Sequence, residues 1–294
     1  MTRRGTRAVR PLDWALPPQP VHREVLSALP EQDSGRPPLL FVHGMSHGAW
    51  CFAEFWLPAA AAAGYPAYAL SLRGHGGSGG TRRLRRTLLR DYVHDVLQVA
   101  SSLPSPPVLI GHSMGGAIVQ LVLEQYPAPA GVLLAPAPLH SGARAMVAIG
   151  KDRPTHVLRA LAGGSLPMTA DALFCGLDPV TAERYADRCG RESPLAQYDI
   201  AFGRRTLGPV RAPVLVIGTP DDKMVPVADV RRTAREHGAV PVWFPGIGHD
   251  LMLDRGQERV LETVLEWVGR AVPSRSVDDA GRADPGESGA GEPG

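Results

Sequence analysis

Ser113, His249 and the acid pair Asp221-Asp222 are the residues whose types and order could do chemistry together. A hydroxyl is a poor nucleophile until a neighbouring base takes its proton, and an imidazole does this best when a carboxylate orients it and stabilises its cation. Ser113 sits in Gly111-His112-Ser113-Met114-Gly115, after the apolar run Val108-Leu109-Ile110 and before a helical pattern that buries Ile118, Leu121 and Val122. A serine on such a sharp strand-to-helix turn has its hydroxyl lifted clear of the sheet. The first free N–H groups of the next helix then aim at whatever the oxygen attacks. In a chain with 33 glycines, G-x-S-x-G alone fits equally a glycine-lined turn in which Ser113 only caps a helix. The strand before it and the helix after it favour the nucleophile.

The partners should come from the ends of later strands, in the order Ser, acid, His. Val214 to Ile217 reads as a strand and runs into Gly218-Thr219-Pro220-Asp221-Asp222-Lys223-Met224-Val225-Pro226, which delivers two acids to one loop. Pro245-Gly246-Ile247-Gly248-His249-Asp250 places a histidine in a glycine-flanked loop before the terminal helix. That loop can bring an imidazole back over the sheet edge.

The elements that must position these groups alternate. Strands are expected at Leu39 to Val42, Ala67 to Leu72, Val108 to Ile110, Val132 to Leu134, Val214 to Ile217 and Val240 to Phe244. Helices are expected at Trp50 to Ala63, Asp91 to Leu103, Met114 to Tyr126, Val227 to His237 and Gln257 to Val272. Continuous rather than alternating hydrophobicity marks strands covered on both faces. The rhythm implies an α/β fold with a mostly parallel central sheet, right-handed crossovers and helices on both faces. From about Leu139 to Thr206 no strand is legible, so this interval is expected to be a helical cap inserted between core strands, covering Ser113 and shaping the substrate pocket.

At 294 residues the chain can bury one large core, with a single domain expected over 21–272. Residues 1–20, rich in Arg and Pro, and 273–294, dominated by Gly, Pro, Ser, Asp and Ala, are expected to be flexible tails. A net charge of +2 with acids and bases interspersed leaves no footprint for nucleic acid or a membrane surface. No apolar run approaches the ~18 residues needed to span a bilayer. Cys51, Cys175 and Cys189 form neither a disulfide framework nor a zinc-ligand pattern, and Pro11, Asp13 and Pro17 to Pro20 interrupt any signal-peptide apolar segment. A reducing, cytoplasmic setting is therefore expected. The composition leaves oligomeric state open.

From roughly Val21 to Val272 the chain resembles the α/β-hydrolase superfamily. The resemblance rests on Phe41-Val42-His43-Gly44, Leu72-Arg73-Gly74-His75-Gly76-Gly77-Ser78, the Gly111 to Gly115 elbow, the Asp222 to Pro226 segment and Gly248-His249, five motifs in the family's order. It implies Ser113 as nucleophile, His249 as base and then acid, and an aspartate of the 221–222 pair as orienter. Aligned on the Val-Pro that follows, Asp222 is the match and is favoured; counted from Gly218, Asp221 would be chosen. The resemblance also implies an oxyanion hole made by the backbone N–H groups of Met45 and Met114, with no metal or organic cofactor required. His43-Gly44-Met45-Ser46-His47-Gly48-Ala49-Trp50 extends it toward the plant-type esterase and hydroxynitrile lyase branch, although Lys223 is no clear match for the lysine of the lyases. Ser71 stands where an aspartate often precedes Leu-Arg-Gly-His-Gly, and the acid loop is one residue longer than the pattern.

Of the remaining histidines, His112 is expected to pack against the sheet and His43 to hydrogen-bond within its loop. His75 is expected in a turn rather than a phosphate cradle, since no Gly-Lys-Ser/Thr follows it. The function expected is cleavage of a carboxylic ester of a small, largely apolar substrate through an acyl-enzyme. A lyase or carbon–carbon bond hydrolase on the same three side chains, or a small-ligand receptor keeping the fold, are the alternatives.

Overall fold

The computed structural model describes residues 17–274. The expected tails at 1–20 and 273–294 lie outside it, apart from residues 17–20 and 273–274. A seven-stranded sheet runs in the order β1-β3-β2-β4-β5-β6-β7. Its members are β1 (Val25–Ala28), β2 (Leu39–Val42), β3 (Ala67–Leu70), β4 (Val108–His112), β5 (Gly131–Leu134), β6 (Val214–Gly218) and β7 (Val242–Trp243). All neighbours are parallel except β1, which pairs antiparallel with β3 through Val25↔Leu70 and Ala28↔Ala67.

The strand β1 is the element that sequence reading omits. Its four residues alternate between exposed and half-buried, so they lack the continuous apolar signal that marks the inner strands. β2, β4 and β5, by contrast, are buried at every position. Successive side chains leave a strand on opposite faces, so Leu39, Phe41, Val108 and Ile110 enter one core cluster and Leu40, Val42 and Leu109 the other.

The first cluster is closed by α1 (Trp50–Ala53), α2 (Trp56–Ala62) and α11 (Gln257–Ala271). The second is closed by α3 (Leu89–Ser102), α4 (Met114–Leu123) and α10 (Val227–Glu236). The single helix expected at Trp50 to Ala63 divides at Glu54-Phe55, where Phe55 leaves helical geometry with φ −133°. Pro58 then falls in the first turn of α2, where its missing N–H forfeits no helical bond. Between β5 and β6 the chain forms α5 (Ala143–Asp152), α6 (Pro154–Leu161), α7 (Ala170–Leu173), α8 (Pro179–Ala186) and α9 (Pro194–Phe202), with no strand among them. Among the described residues no helix is long and apolar enough to cross a membrane.

The turn from β4 into α4 is tight enough to dictate its glycines. A Cβ on Gly111 would stand 2.3 Å from Gly115 O, and one on Gly115 would stand 2.3 Å from Val42 O. Both contacts are with backbone, which cannot swing aside. Replacing Gly115 by alanine is therefore expected to push α4 away from β2, lowering the thermal midpoint by several degrees. It should also slow labelling of Ser113 by a fluorophosphonate at least about tenfold, a displacement cost of the kind expected when reacting groups lose alignment. Differential scanning calorimetry and intact-mass kinetics check the two outcomes.

Candidate active site

Four loops at the carboxyl ends of parallel strands converge. They follow β2, β4, β6 and β7, the edge of an open α/β sheet where ligands bind. Ser113, between β4 and α4, has φ 53° and ψ −118°, a conformation few side-chain-bearing residues hold. Its N–H donates to Leu134 O at 2.9 Å, and its C=O accepts from Gly116 N, Ala117 N and Ala137 N. The strained residue is thus pinned from the next strand, from its own helix and from the chain beyond β5.

The Ser113 hydroxyl donates to His249 Nε2 at 3.0 Å, and His249 Nδ1–H donates to Asp222 Oδ2 at 2.9 Å. The three side chains are nearly sealed from solvent; Asp222's is 1% exposed. The second oxygen, Asp222 Oδ1, accepts from Met224 N at 2.7 Å and Val225 N at 2.8 Å, which fixes the carboxylate plane. Asp221 is exposed and serves the loop instead. Its Oδ2 accepts from Gly246 N at 2.7 Å, and Thr219 Oγ1–H donates to Ile247 O at 2.6 Å, so the acid loop and the histidine loop are tied at two points. Of the two acids that sequence left open, Asp222 is the one that faces His249.

Burial on its own would lower the His249 pKa, but the Asp222 carboxylate outweighs it, by charge and by hydrogen bond, and the net shift is upward. His112 Nε2–H donates to His249 O at 3.0 Å. Buried beside His249, His112 has its pKa pushed down to about 3 and stays neutral. It packs against the sheet as expected and also holds the backbone of its neighbour. His43 lies in its own loop, its Nδ1–H donating to Gly44 O at 2.7 Å and its Nε2 accepting from Leu72 N at 3.0 Å.

The N–H groups of Met114 and Met45 have no partner among the described residues. Met114 opens α4, where a helix leaves its first donors unpaired. Met45 and Ser113 both line a narrow cavity of about 60 Å³ beneath the cap helices, whose other walls include Met146, Ile149, Leu166, Ile200 and Val225. Gln197 also lines it, but its amide is engaged with Leu166 N and Gly164 O. Leu161 and Phe202 mark its mouth, being about half exposed. The larger concavity, about 1140 Å³, is lined by Pro30, Pro104, Pro127 and Pro213 and includes none of the three side chains.

Two buried acid–histidine pairs escaped the sequence reading. His47 donates through Nε2 to Asp250 Oδ2 at 2.9 Å and through Nδ1 to Met45 O at 2.7 Å. Burial would lower its pKa, but Asp250 overrides this and holds the ring charged. His75 lies 3.2 Å from Glu192 Oε2, an ion pair rather than a well-aligned hydrogen bond. Neither pair is local in sequence, so only the adjacency of His47 to the His-Gly motif could have hinted at one.

His112, His249 and Asp250 bring ligand-type atoms within 4.8 Å of one another. His249 is engaged with Ser113 and Asp222, and Asp250 Oδ2 with His47, so the cluster is a hydrogen-bonded one. Ser71 accepts from Ala49 N at 2.8 Å and donates to Glu24 Oε2 at 2.5 Å. Where the family pattern has an aspartate, this turn takes its carboxylate from residue 24. Lys223 Nζ donates to Asp171 O at 2.9 Å and does not line the cavity at Ser113.

Residues 39–263 match the model of the alpha/beta hydrolase family, and the chain belongs to that family. The monoacylglycerol lipase of Mycolicibacterium smegmatis is 32% identical over 228 residues, 70% of this chain and 79% of that protein. Methylesterase 10 of Arabidopsis thaliana is 37% identical over 92 residues, 30% of this chain and 32% of the plant protein. The crystal structure of a monoacylglycerol lipase from Paleococcus ferrophilus superposes with a TM-score of 0.65 at 22% identity, covering 86% of this chain and all of the other, a likeness of fold.

The electrostatics set a pH signature. A base must be neutral to accept a proton, so with the His249 pKa raised the acid limb of kcat/KM is expected to have its midpoint above the ordinary histidine value of about 6.5. Asp222→Asn removes the opposing charge and leaves burial in control. The midpoint should then fall, and the rate should drop about 10⁴-fold. Asp221→Asn should stay within about threefold of the parent, and a pH–rate profile of the three proteins separates the cases.

Proposed function

We propose that this protein is a serine hydrolase of carboxylic esters whose substrate carries a small, largely apolar group. The observation that carries the reading is the buried relay from Ser113 Oγ through His249 to Asp222, at 3.0 and 2.9 Å. Ser113 Oγ attacks the ester carbonyl carbon while His249 Nε2 takes its proton, and Asp222 stabilises the imidazolium. The carbonyl oxygen becomes an oxyanion that accepts hydrogen bonds from the Met45 and Met114 N–H groups. On collapse, His249 returns the proton to the departing alkoxide, and the alcohol leaves an acyl-Ser113. Water, deprotonated by the same imidazole, then releases the acid and restores the hydroxyl.

Two comparisons support the ester as substrate: the lipase that matches along most of its length and the plant methylesterase that matches locally. The aliphatic walls beside Ser113, with the Gln197 amide already engaged, support an apolar group there. The reading requires no metal or organic cofactor.

p-Nitrophenyl esters of graded acyl length test it. The wild type should hydrolyse them and Ser113→Ala should lose about 10⁴-fold or more, with a fluorophosphonate adding its mass at Ser113 in the wild type alone. Equal turnover by both proteins would overturn the assignment. Ile149→Ala, which widens the cavity, should move the preferred acyl chain to longer lengths, and Ala160→Phe, which narrows it, to shorter ones.

A further inference from the structure

Ser46 follows the proposed oxyanion donor Met45 and has a left-handed φ of 65° although it bears a side chain. Such a residue keeps that conformation only where its surroundings impose it. Here one stretch of the cap holds both of its backbone polar groups. Gly190 N–H donates to Ser46 O at 2.6 Å, and Ser46 N–H donates to Glu192 Oε2 at 3.1 Å. Both residues belong to the link between α8 and α9, 146 positions from Ser46 in the case of Glu192.

The carboxylate is itself immobilised. Glu192 is 2% exposed; Oε1 accepts from Tyr92 O–H at 2.6 Å and Ser193 N–H at 2.7 Å, while the His75 ring lies beside Oε2. A buried carboxylate is tolerated when its lone pairs are filled in this way. On the other side of the same peptide unit, His47 Nδ1–H donates to Met45 O. The plane between residues 45 and 46 is therefore gripped at its C=O by His47 and at its N–H by Glu192. With that plane fixed, only the two dihedrals of Met45 remain to direct the Met45 N–H.

We infer that Glu192 is a positioning residue: by holding the Ser46 N–H, with Gly190 holding the Ser46 C=O, it aims the Met45 N–H at the developing oxyanion. The oxyanion site is then complete only while the α8–α9 link of the cap is seated on the core. The inference rests on the ester-hydrolase reading of Ser113. Glu192 touches none of Ser113, His249 and Asp222, and it does not line the cavity at Ser113. Its effect should thus fall on transition-state stabilisation and spare substrate binding.

The test uses the full chain, a p-nitrophenyl ester of the preferred length, and an alkylboronic acid whose tetrahedral adduct on Ser113 places an oxygen in the oxyanion position. Glu192→Gln keeps the shape but turns an N–H₂ toward one of the donor pairs. Its kcat should fall about 10- to 100-fold, less than the loss of a whole oxyanion donor, with KM within twofold, and the boronate Ki should rise by a similar factor. Tyr92→Phe leaves Ser46 untouched and loosens the carboxylate, so it should give the same pattern at about three- to tenfold. Should Glu192→Gln fail to fold, as judged by circular dichroism, Tyr92→Phe decides alone. Folded variants whose kcat and boronate Ki stay within twofold of an active wild type would overturn the inference and leave the ester-hydrolase reading standing. A wild type no more active than Ser113→Ala would overturn both.

Discussion

The carboxyl edge of the sheet is built around one imidazole kept out of water beside a carboxylate. His249 is 3% exposed, and burial disfavours its cation. The Asp222 carboxylate, held by two backbone N–H groups of its own loop, reverses that preference. In so poorly solvated a place a charge acts strongly on its neighbours, and an unpaired polar group is correspondingly costly. The surrounding acids answer this constraint by taking donors from nearby loops. Asp254 accepts from Gly248 N, Cys175 N, Gly176 N and Arg255 N. Asp250 takes the charged His47, and Glu192 takes Ser46, Tyr92 and Ser193. Of the oxygens of these carboxylates only Asp250 Oδ1 has no hydrogen-bond partner among the described residues, the His112 ring standing 3.8 Å away; the others are oriented in advance, and such prior orientation of dipoles is where much of catalysis resides.

Orientation of this kind has a backbone component. Ser113 and Ser46 both adopt positive φ, and each is held by bonds from separate parts of the chain. The glycines beside them follow from the same crowding. A Cβ on Gly44 would lie 2.9 Å from His112 Nδ1 and 3.0 Å from Ser113 Cβ, and one on Gly248 would lie 2.4 Å from Leu173 O. The loops carrying the proposed donor, nucleophile and base are pressed together until only backbone fits between them. Strain at the serines is offset by packing further off, in two cores closed by helices on either face of the sheet.

The inner strands, Ser113 and His249 were legible because each carries a local signal. Val108-Leu109-Ile110 is continuously apolar, G-x-S-x-G declares its turn, and Gly248-His249 follows the last strand. What stayed hidden was set by distance. Val25–Ala28 becomes a strand only through pairing with Ala67–Leu70, because at the sheet edge it has no buried run to announce it. Asp221 and Asp222 could be ranked but not separated, since the contacts that tell them apart, Gly246 N–H on Asp221 and His249 on Asp222, come from the histidine loop, distant in sequence. His75 reads as a turn residue because nothing near it in the chain foretells Glu192, more than a hundred positions away. The helix division at Glu54-Phe55 likewise has no local marker stronger than a proline two residues into the next helix.

The cap meets the core in two chemically different ways, and the difference has a consequence for motion. Over the cavity at Ser113 its contacts are aliphatic and non-directional, through Met146, Ile149, Leu166 and Ile200. The polar ties of α5 and α9 to the core there are long, Arg144 Nη1 to Asp229 Oδ1 at 3.7 Å and Leu89 N to Asp199 Oδ2 at 3.4 Å, so a shift of those helices costs comparatively little. At the α8–α9 link the contacts are directional: Gly190 to Ser46, Glu192 to Ser46 and Tyr92, Ser193 Oγ–H to Thr87 O at 2.6 Å. Moving that link would strand buried donors and a carboxylate, a far larger penalty. Opening of the cavity should therefore belong to α5, α6 and the end of α9, while the α8–α9 link remains with the core. On that division the aliphatic walls beside Ser113 can adapt, and the peptide beside the proposed oxyanion donor cannot.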